Sequence, residues 1–132
     1  MAATATVLEL LDSGDHVVAM DDLYGGSFRL FHRVRERSAG LAFSFAPLDD
    51  IDKLRAALTP RTRMIWVETP TNPLLKIADL QALAAIAKQN EILLVCDNTF
   101  ATPVLQRPIE LGADVVLHSM TKYLGGHSDV QG

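Results

Sequence analysis

The stretch LHSMTKYLGGHSD, residues 117–129, sets Lys122 behind two hydroxyl side chains, Ser119 and Thr121, and ahead of the pair Gly125–Gly126. A surface lysine needs no such surroundings, and a buried one is costly unless it is neutralised or paired. An amine held in place is a nucleophile for a carbonyl, and hydroxyls beside it can hold an anion. Three other polar groups follow apolar runs in the same way: Asp21, Asp22 and Tyr24; Glu68, Thr69 and Asn72; Asp97, Asn98 and Thr99. If they meet, they bring together an amine, a carboxylate, an aromatic ring and small hydrogen-bonding groups. Structural roles compete for each residue. Lys122 could be a solvated loop lysine, Asp97 a turn cap, Tyr24 a turn aromatic, and Asn72 within TPTNP a turn former.

The elements that must position these residues alternate in type. Residues 4–12 put Val7, Leu8 and Leu11 on one helical face, with Gly14 as a stop. HVVAM (16–20) is a short apolar run. SFRLFHRVRER (27–37) places Phe28, Phe31 and Val34 opposite its arginines, as an amphipathic helix does. LAFSF (41–45) alternates as a strand, and residues 49–58 open on N-capping aspartates before a helical pattern. RMIWVETPTNP (63–73) is a strand that breaks into a proline-rich loop, and 77–90 is an Ala- and Leu-rich helix. Runs 92–100 and 113–119 are unbroken and apolar, as in strands covered on both faces. Trp66 and Cys96 read as core, and Met120 is expected to turn its side chain inward. The expected fold is α/β, a three-layer sandwich around a mainly parallel sheet, in which ligands bind beyond the carboxyl ends of the strands. There is no internal repeat and no low-complexity tract.

Bulk properties narrow the function. The 132 residues are 48% hydrophobic and 21% charged, with a net charge of -4, which gives no basic footprint for nucleic acid. No apolar run approaches the ~20 residues of a membrane span. The first residues lack the basic flank of a signal peptide, and one cysteine makes no intrachain disulfide framework. A soluble, cytoplasmic protein is the expectation.

The constellation suits pyridoxal 5′-phosphate. The lysine amine condenses with its aldehyde, the aspartate pairs with its protonated pyridine nitrogen, and hydroxyls and amides at a strand-to-helix turn hold its phosphate. A phospho-receiver signalling domain is the competing reading. There Asp21–Asp22, Asp97, Ser119 and Lys122 would be the acidic pair, the aspartate, the hydroxyl and the lysine. Against it, two strand candidates separate the acidic pair from Asp97, and Lys122 follows Ser119 with no strand between them.

DVVLHSMTKYLGGHSD resembles the lysine signature of the Cys/Met-metabolism family of fold-type-I pyridoxal-phosphate enzymes. MDDLYGGSFRLF, WVETPTNP and VCDNTFATPVLQRPIELGAD resemble the family's other landmarks, in its order, and the 25 residues from Asp97 to Lys122 fit it. The resemblance implies that Lys122 carries the cofactor and then moves protons, that Asp97 faces the pyridinium and that Tyr24 stacks on the ring and serves catalysis. It implies phosphate ligands in Ser119 and Thr121, a ring contact in Asn72, Thr99 close to the ring, and Arg29 near the substrate. Residues 1–132 would form part of the large, cofactor-binding domain, without an N-terminal segment and a C-terminal domain that complete the family's sites. The implied protein is a homotetramer of dimers with shared sites, acting on a small amino acid by γ-elimination of L-cystathionine. β-Elimination, γ-replacement and methionine γ-lysis share these residues. A catalytically dead scaffold is a third possibility for the isolated piece, and no metal site is expected.

Overall fold

A computed structural model describes residues 1–132. Its centre is a five-stranded sheet, all parallel: β1 (His16–Met20), β2 (Ala42–Ala46), β3 (Thr62–Glu68), β4 (Leu93–Asp97) and β5 (Val115–Leu117), in the order β2-β1-β3-β4-β5. The helices between them are α1 (Ala2–Leu8), α2 (Gly25–Arg29), α3 (Glu36–Ala39), α4 (Ile51–Ala57), α5 (Leu80–Gln89) and α6 (Thr102–Leu105). Parallel neighbours require crossovers, and the helices supply them.

Burial explains the strand sequences. All five residues of β1 are buried, as are the last five of β3. Successive side chains point to opposite faces, so both faces of the central strands are covered and no polar alternation survives. β2 lies at the sheet edge and is only part-buried, which is why its alternation is legible. The core joins Trp66, Phe31, Met20, Leu54, Leu83 and Val95 among 26 buried residues. Phe31 stacks on Phe43 at 5.0 Å and meets Trp66 edge-on at 5.2 Å. Trp66 and Cys96 are fully buried, as expected.

Several boundaries move. α1 ends at Leu8, short of the expected residue 12, although Val7 and Leu11 still pack against the core. Asp50 caps α4 by accepting from Asp52 and Lys53 N–H, and Asp79 caps α5 by accepting from Ala82 N–H, so the expected helix from 77 starts at Leu80. The helix expected over 27–37 runs from 25 to 39, but Leu30–Arg35 is a π stretch between α2 and α3. Its wider i→i+5 turn carries side chains three residues apart onto different directions. Phe31 is buried, whereas Phe28 and Val34 stay 39% and 42% exposed. α6 follows Asp97 where the sequence showed only a polar turn.

Candidate cofactor site

In this strand order the chain reverses direction across the sheet between β1 and β3, and such reversal points open a crevice at the carboxyl ends of the strands. A cavity of about 540 Å³ lies there. Tyr24 and Ser27 line it from beyond β1, Glu68 and Asn72 from β3 and its loop, and Asp97, Thr99 and Phe100 from β4. His118, Ser119, Thr121 and Lys122 line it from beyond β5. Seven of the eight expected site residues therefore share one cavity. The eighth, Arg29, is not among the lining residues. It is exposed at the end of α2 with its guanidinium beside Gly25.

Each position has a local cause. β5 ends at Leu117, and a turn over Met120–Leu124 follows it, with Lys122 at a non-helical φ of -96° and ψ of -129°. Gly125 N–H donates to Met120 O at 2.9 Å and Gly126 N–H to Lys122 O at 2.8 Å. Gly126, at φ 70°, takes the left-handed conformation that lets the chain leave. Ser119 Oγ, Thr121 Oγ1 and Thr121 N–H all donate to one Gly132 oxygen, at 3.2, 3.3 and 3.3 Å. These donors thus converge on a single acceptor oxygen. Met120 departs from expectation: its side chain is 52% exposed and lies against Gly132, because it heads a turn beyond the sheet and has no core to face.

Asp97 is oriented by Thr99, whose N–H and hydroxyl both donate to Asp97 Oδ1, at 3.1 and 2.5 Å. The same Thr99 hydroxyl accepts from Ser119 N–H at 2.9 Å. One side chain thereby ties the carboxylate on β4 to the lysine turn after β5. Thr99, expected close to the ring, lines the cavity and makes its hydrogen bonds with Asp97 and Ser119.

Tyr24 lies where Gly26 has no side chain: a Cβ there would collide with ring carbons Cε1, Cδ1 and Cζ. Its N–H donates to Glu68 Oε2 at 2.8 Å. Glu68 is only 6% exposed, and burial pushes its carboxyl up to about 7. The Tyr24 N–H opposes this, Asp97 and Asp22 add to it, and the Asn72 N–H again opposes it. Sequence reasoning placed Glu68 among polar strand ends but not in the site. The usable signal was its position directly after the apolar run Met64–Val67.

The acidic pair of the receiver reading is otherwise committed. Asp21 pairs with Lys76 Nζ at 3.0 Å, and Asp22 accepts from Thr71 Oγ1 at 2.6 Å and Leu74 N–H at 3.0 Å. Both pin the proline-rich loop that carries Asn72. Behind it, Asn98 and Gln106 exchange amide hydrogen bonds, and Gln106 Nε2 also donates to Thr69 O at 3.1 Å.

A family model described as Cys/Met metabolism PLP-dependent enzyme matches residues 1–132. The chain belongs to this family. Cys/Met metabolism enzymes use pyridoxal phosphate, and the donor set fits it: converging hydroxyls, a fixed carboxylate, a ring-bearing wall and a lysine on the same turn as the hydroxyls. The family membership also removes the receiver reading. A cystathionine beta-lyase of Coxiella burnetii is 64% identical over 132 residues, covering 100% of this chain and 34% of the relative. A cystathionine gamma-synthase of Mycobacterium leprae is 54% identical over 133 residues, covering 100% and 34%. The crystal structure of cystathionine gamma-lyase from Lactobacillus plantarum complexed with L-serine superposes with a TM-score of 0.96 at 48% identity, over 98% of this chain and 34% of that one. The chain thus spans about a third of the length of the relatives it matches.

Proposed function

We propose that this chain carries the cofactor-binding core of a carbon–sulfur lyase, and that the complete enzyme cleaves L-cystathionine by γ-elimination to cysteine, 2-oxobutyrate and ammonia. The observation that carries the reading is the convergence of Lys122, Asp97, Tyr24, Ser119 and Thr121 on one cavity at the reversal point of the sheet. Bound pyridoxal phosphate supplies the electron sink for a carbanion at the substrate Cα. Ser119 and Thr121 bind its phosphate, Asp97 keeps a proton on its ring nitrogen, Tyr24 covers a ring face and Asn72 contacts the ring-hydroxyl side. Lys122 Nζ is the attachment point and, once released, the base at Cα. γ-Elimination also removes a Cβ proton before sulfur leaves Cγ. Arg29, outside the cavity lining, is the least supported of these assignments; a substrate contact there needs the guanidinium to swing inward. The reading includes a cytoplasmic homotetramer built from dimers that share sites.

The relative at 64% identity is named a cystathionine beta-lyase, which favours β-elimination as a second reading. Both cleave the same substrate on different sides of its sulfur. The full-length protein should be yellow, and borohydride should fix the pyridoxyl group on Lys122, located by peptide mapping. A colourless protein or label on another lysine sinks the assignment. With L-cystathionine, 2-oxobutyrate identifies γ-cleavage and pyruvate β-cleavage.

A further inference from the structure

Tyr24 begins α2 without any side-chain cap, at extended φ -48° and ψ 126°. Its own N–H points away from the helix and needs a partner, and the partner is a carboxylate 44 residues away on β3. Glu68 is an unusual choice. An ionisable group at the end of an otherwise apolar strand is disfavoured by burial, and here two further carboxylates, Asp97 on β4 and Asp22 beyond β1, face it. The backbone N–H groups of Tyr24 and Asn72 are what favour its charged form. They belong to the two loops that border the cavity from β1 and β3. On the other side of Tyr24, the bare Cα of Gly26 leaves the space its ring occupies. The Tyr24 backbone is thus held by Glu68 while its ring fills the space beside Gly26, and the Glu68 hydrogen bond is one that protonation can change.

We propose that Glu68 is a positioning residue that clasps the Tyr24 loop to the carboxyl end of β3 and so sets how the Tyr24 ring lies over the cofactor. This rests on the assignment of Tyr24 to the cofactor face. An ionised Glu68 offers only acceptors to the Tyr24 N–H, whereas a protonated one turns one oxygen into a donor that can bond Asp97 or Asp22 instead. The clasp tightens as pH rises through about 7 and loosens below it. The other titratable side chains lining the cavity, Lys122 and His118, come from beyond β5.

Hydrogen exchange of the Tyr24 amide in the full-length protein tests the clasp. Glu68→Ala should speed that exchange about tenfold, the worth of a charge-assisted hydrogen bond, and Glu68→Gln, which like the protonated carboxyl keeps one acceptor oxygen, should leave intermediate protection that does not vary with pH. The visible circular dichroism of the bound cofactor should change through about pH 7 in the wild type and stay flat in Glu68→Gln. An unprotected Tyr24 amide in the wild type, or unchanged protection in Glu68→Ala, overturns the clasp. A wild-type dichroism step that persists in Glu68→Gln overturns its pH dependence. If Glu68→Ala fails to fold, the Glu68→Gln pair of measurements still decides. Exchange at Tyr24 is measurable without cofactor, so failure of borohydride to label Lys122 would defeat the assignment of the site and leave the clasp separately tested.

Discussion

Thr99 acts on the proposed cofactor site through its neighbours. Its hydroxyl spends its proton on Asp97 and takes one hydrogen bond from Ser119 N–H, so a single oxygen couples the carboxylate to the turn that presents Lys122. Removing it leaves Asp97 Oδ1 with the Thr99 N–H alone and Ser119 N–H without this partner. A hydrogen bond to a charged group is worth roughly 1.5–3 kcal/mol, so Thr99→Val in the full-length protein should weaken pyridoxal phosphate binding by about tenfold or more, and Thr99→Ser should restore it. Equilibrium dialysis of the apoprotein measures both; equal affinity for Thr99→Val and wild type would show the relay to be idle. Asp97 and Thr99 were legible from their position after an apolar run, but the bond between their side chains, and the one to Ser119, depended on how β4 and β5 pair.

At the scale of elements, the end of the sheet opposite the cavity carries its own polar cluster. His16 opens β1 with Nδ1 2.8 Å from Thr62 Oγ1 and Nε2 2.9 Å from Ser44 Oγ, tying β1 to both neighbours. A neutral imidazole satisfies both hydroxyls with one donor and one acceptor. Burial lowers its pKa from 6.5, so the unfolded chain binds the proton more readily than the folded one. The stability His16 contributes is complete above 6.5 and falls as pH drops through the lowered folded value. Thermal unfolding of the full-length protein should show this acid-side loss, and His16→Gln should lessen it; an identical pH profile in the two would refute the assignment. The strands themselves were readable because burial on both faces leaves unbroken apolar runs. The π stretch between α2 and α3 was not, because a three-residue spacing of Phe28, Phe31 and Val34 fits a regular helix equally well.

Across the whole molecule, apolar side chains remain outside the core in a pattern. Val104 and Leu105 on α6 are 87% and 82% exposed, and Ile109 follows at 59%. Leu74, Leu75 and Ile77 in the proline-rich loop are 67%, 59% and 65% exposed. Gln106 bonds Thr69 O and brings the two segments close. Exposed apolar area of this kind marks surface that other protein covers. Residues 1–132 expressed alone should therefore self-associate, and light scattering on size-exclusion fractions should show mass above the 14.4 kDa monomer. A monodisperse monomer would mean that these side chains are content in water.

Amino-acid order alone was enough for the α/β alternation, the polar groups at successive strand ends and the likeness of four separate segments to one enzyme family. Those signals are local: periodicity, burial and short motifs are written within a few residues of each other. The tertiary structure decided the strand order, the exclusion of Arg29 from the cavity lining, the outward turn of Met120 and the hydrogen bond between Tyr24 and Glu68. It also gave Thr99 its hydrogen bonds with Asp97 and Ser119. Each depends on partners far apart in the chain, such as Tyr24 and Glu68 at a separation of 44 residues or Thr99 and Ser119 at 20. Only the folded sheet brings such pairs within hydrogen-bond distance, because parallel strands meet through crossovers whose length carries no record of which side chains will face each other.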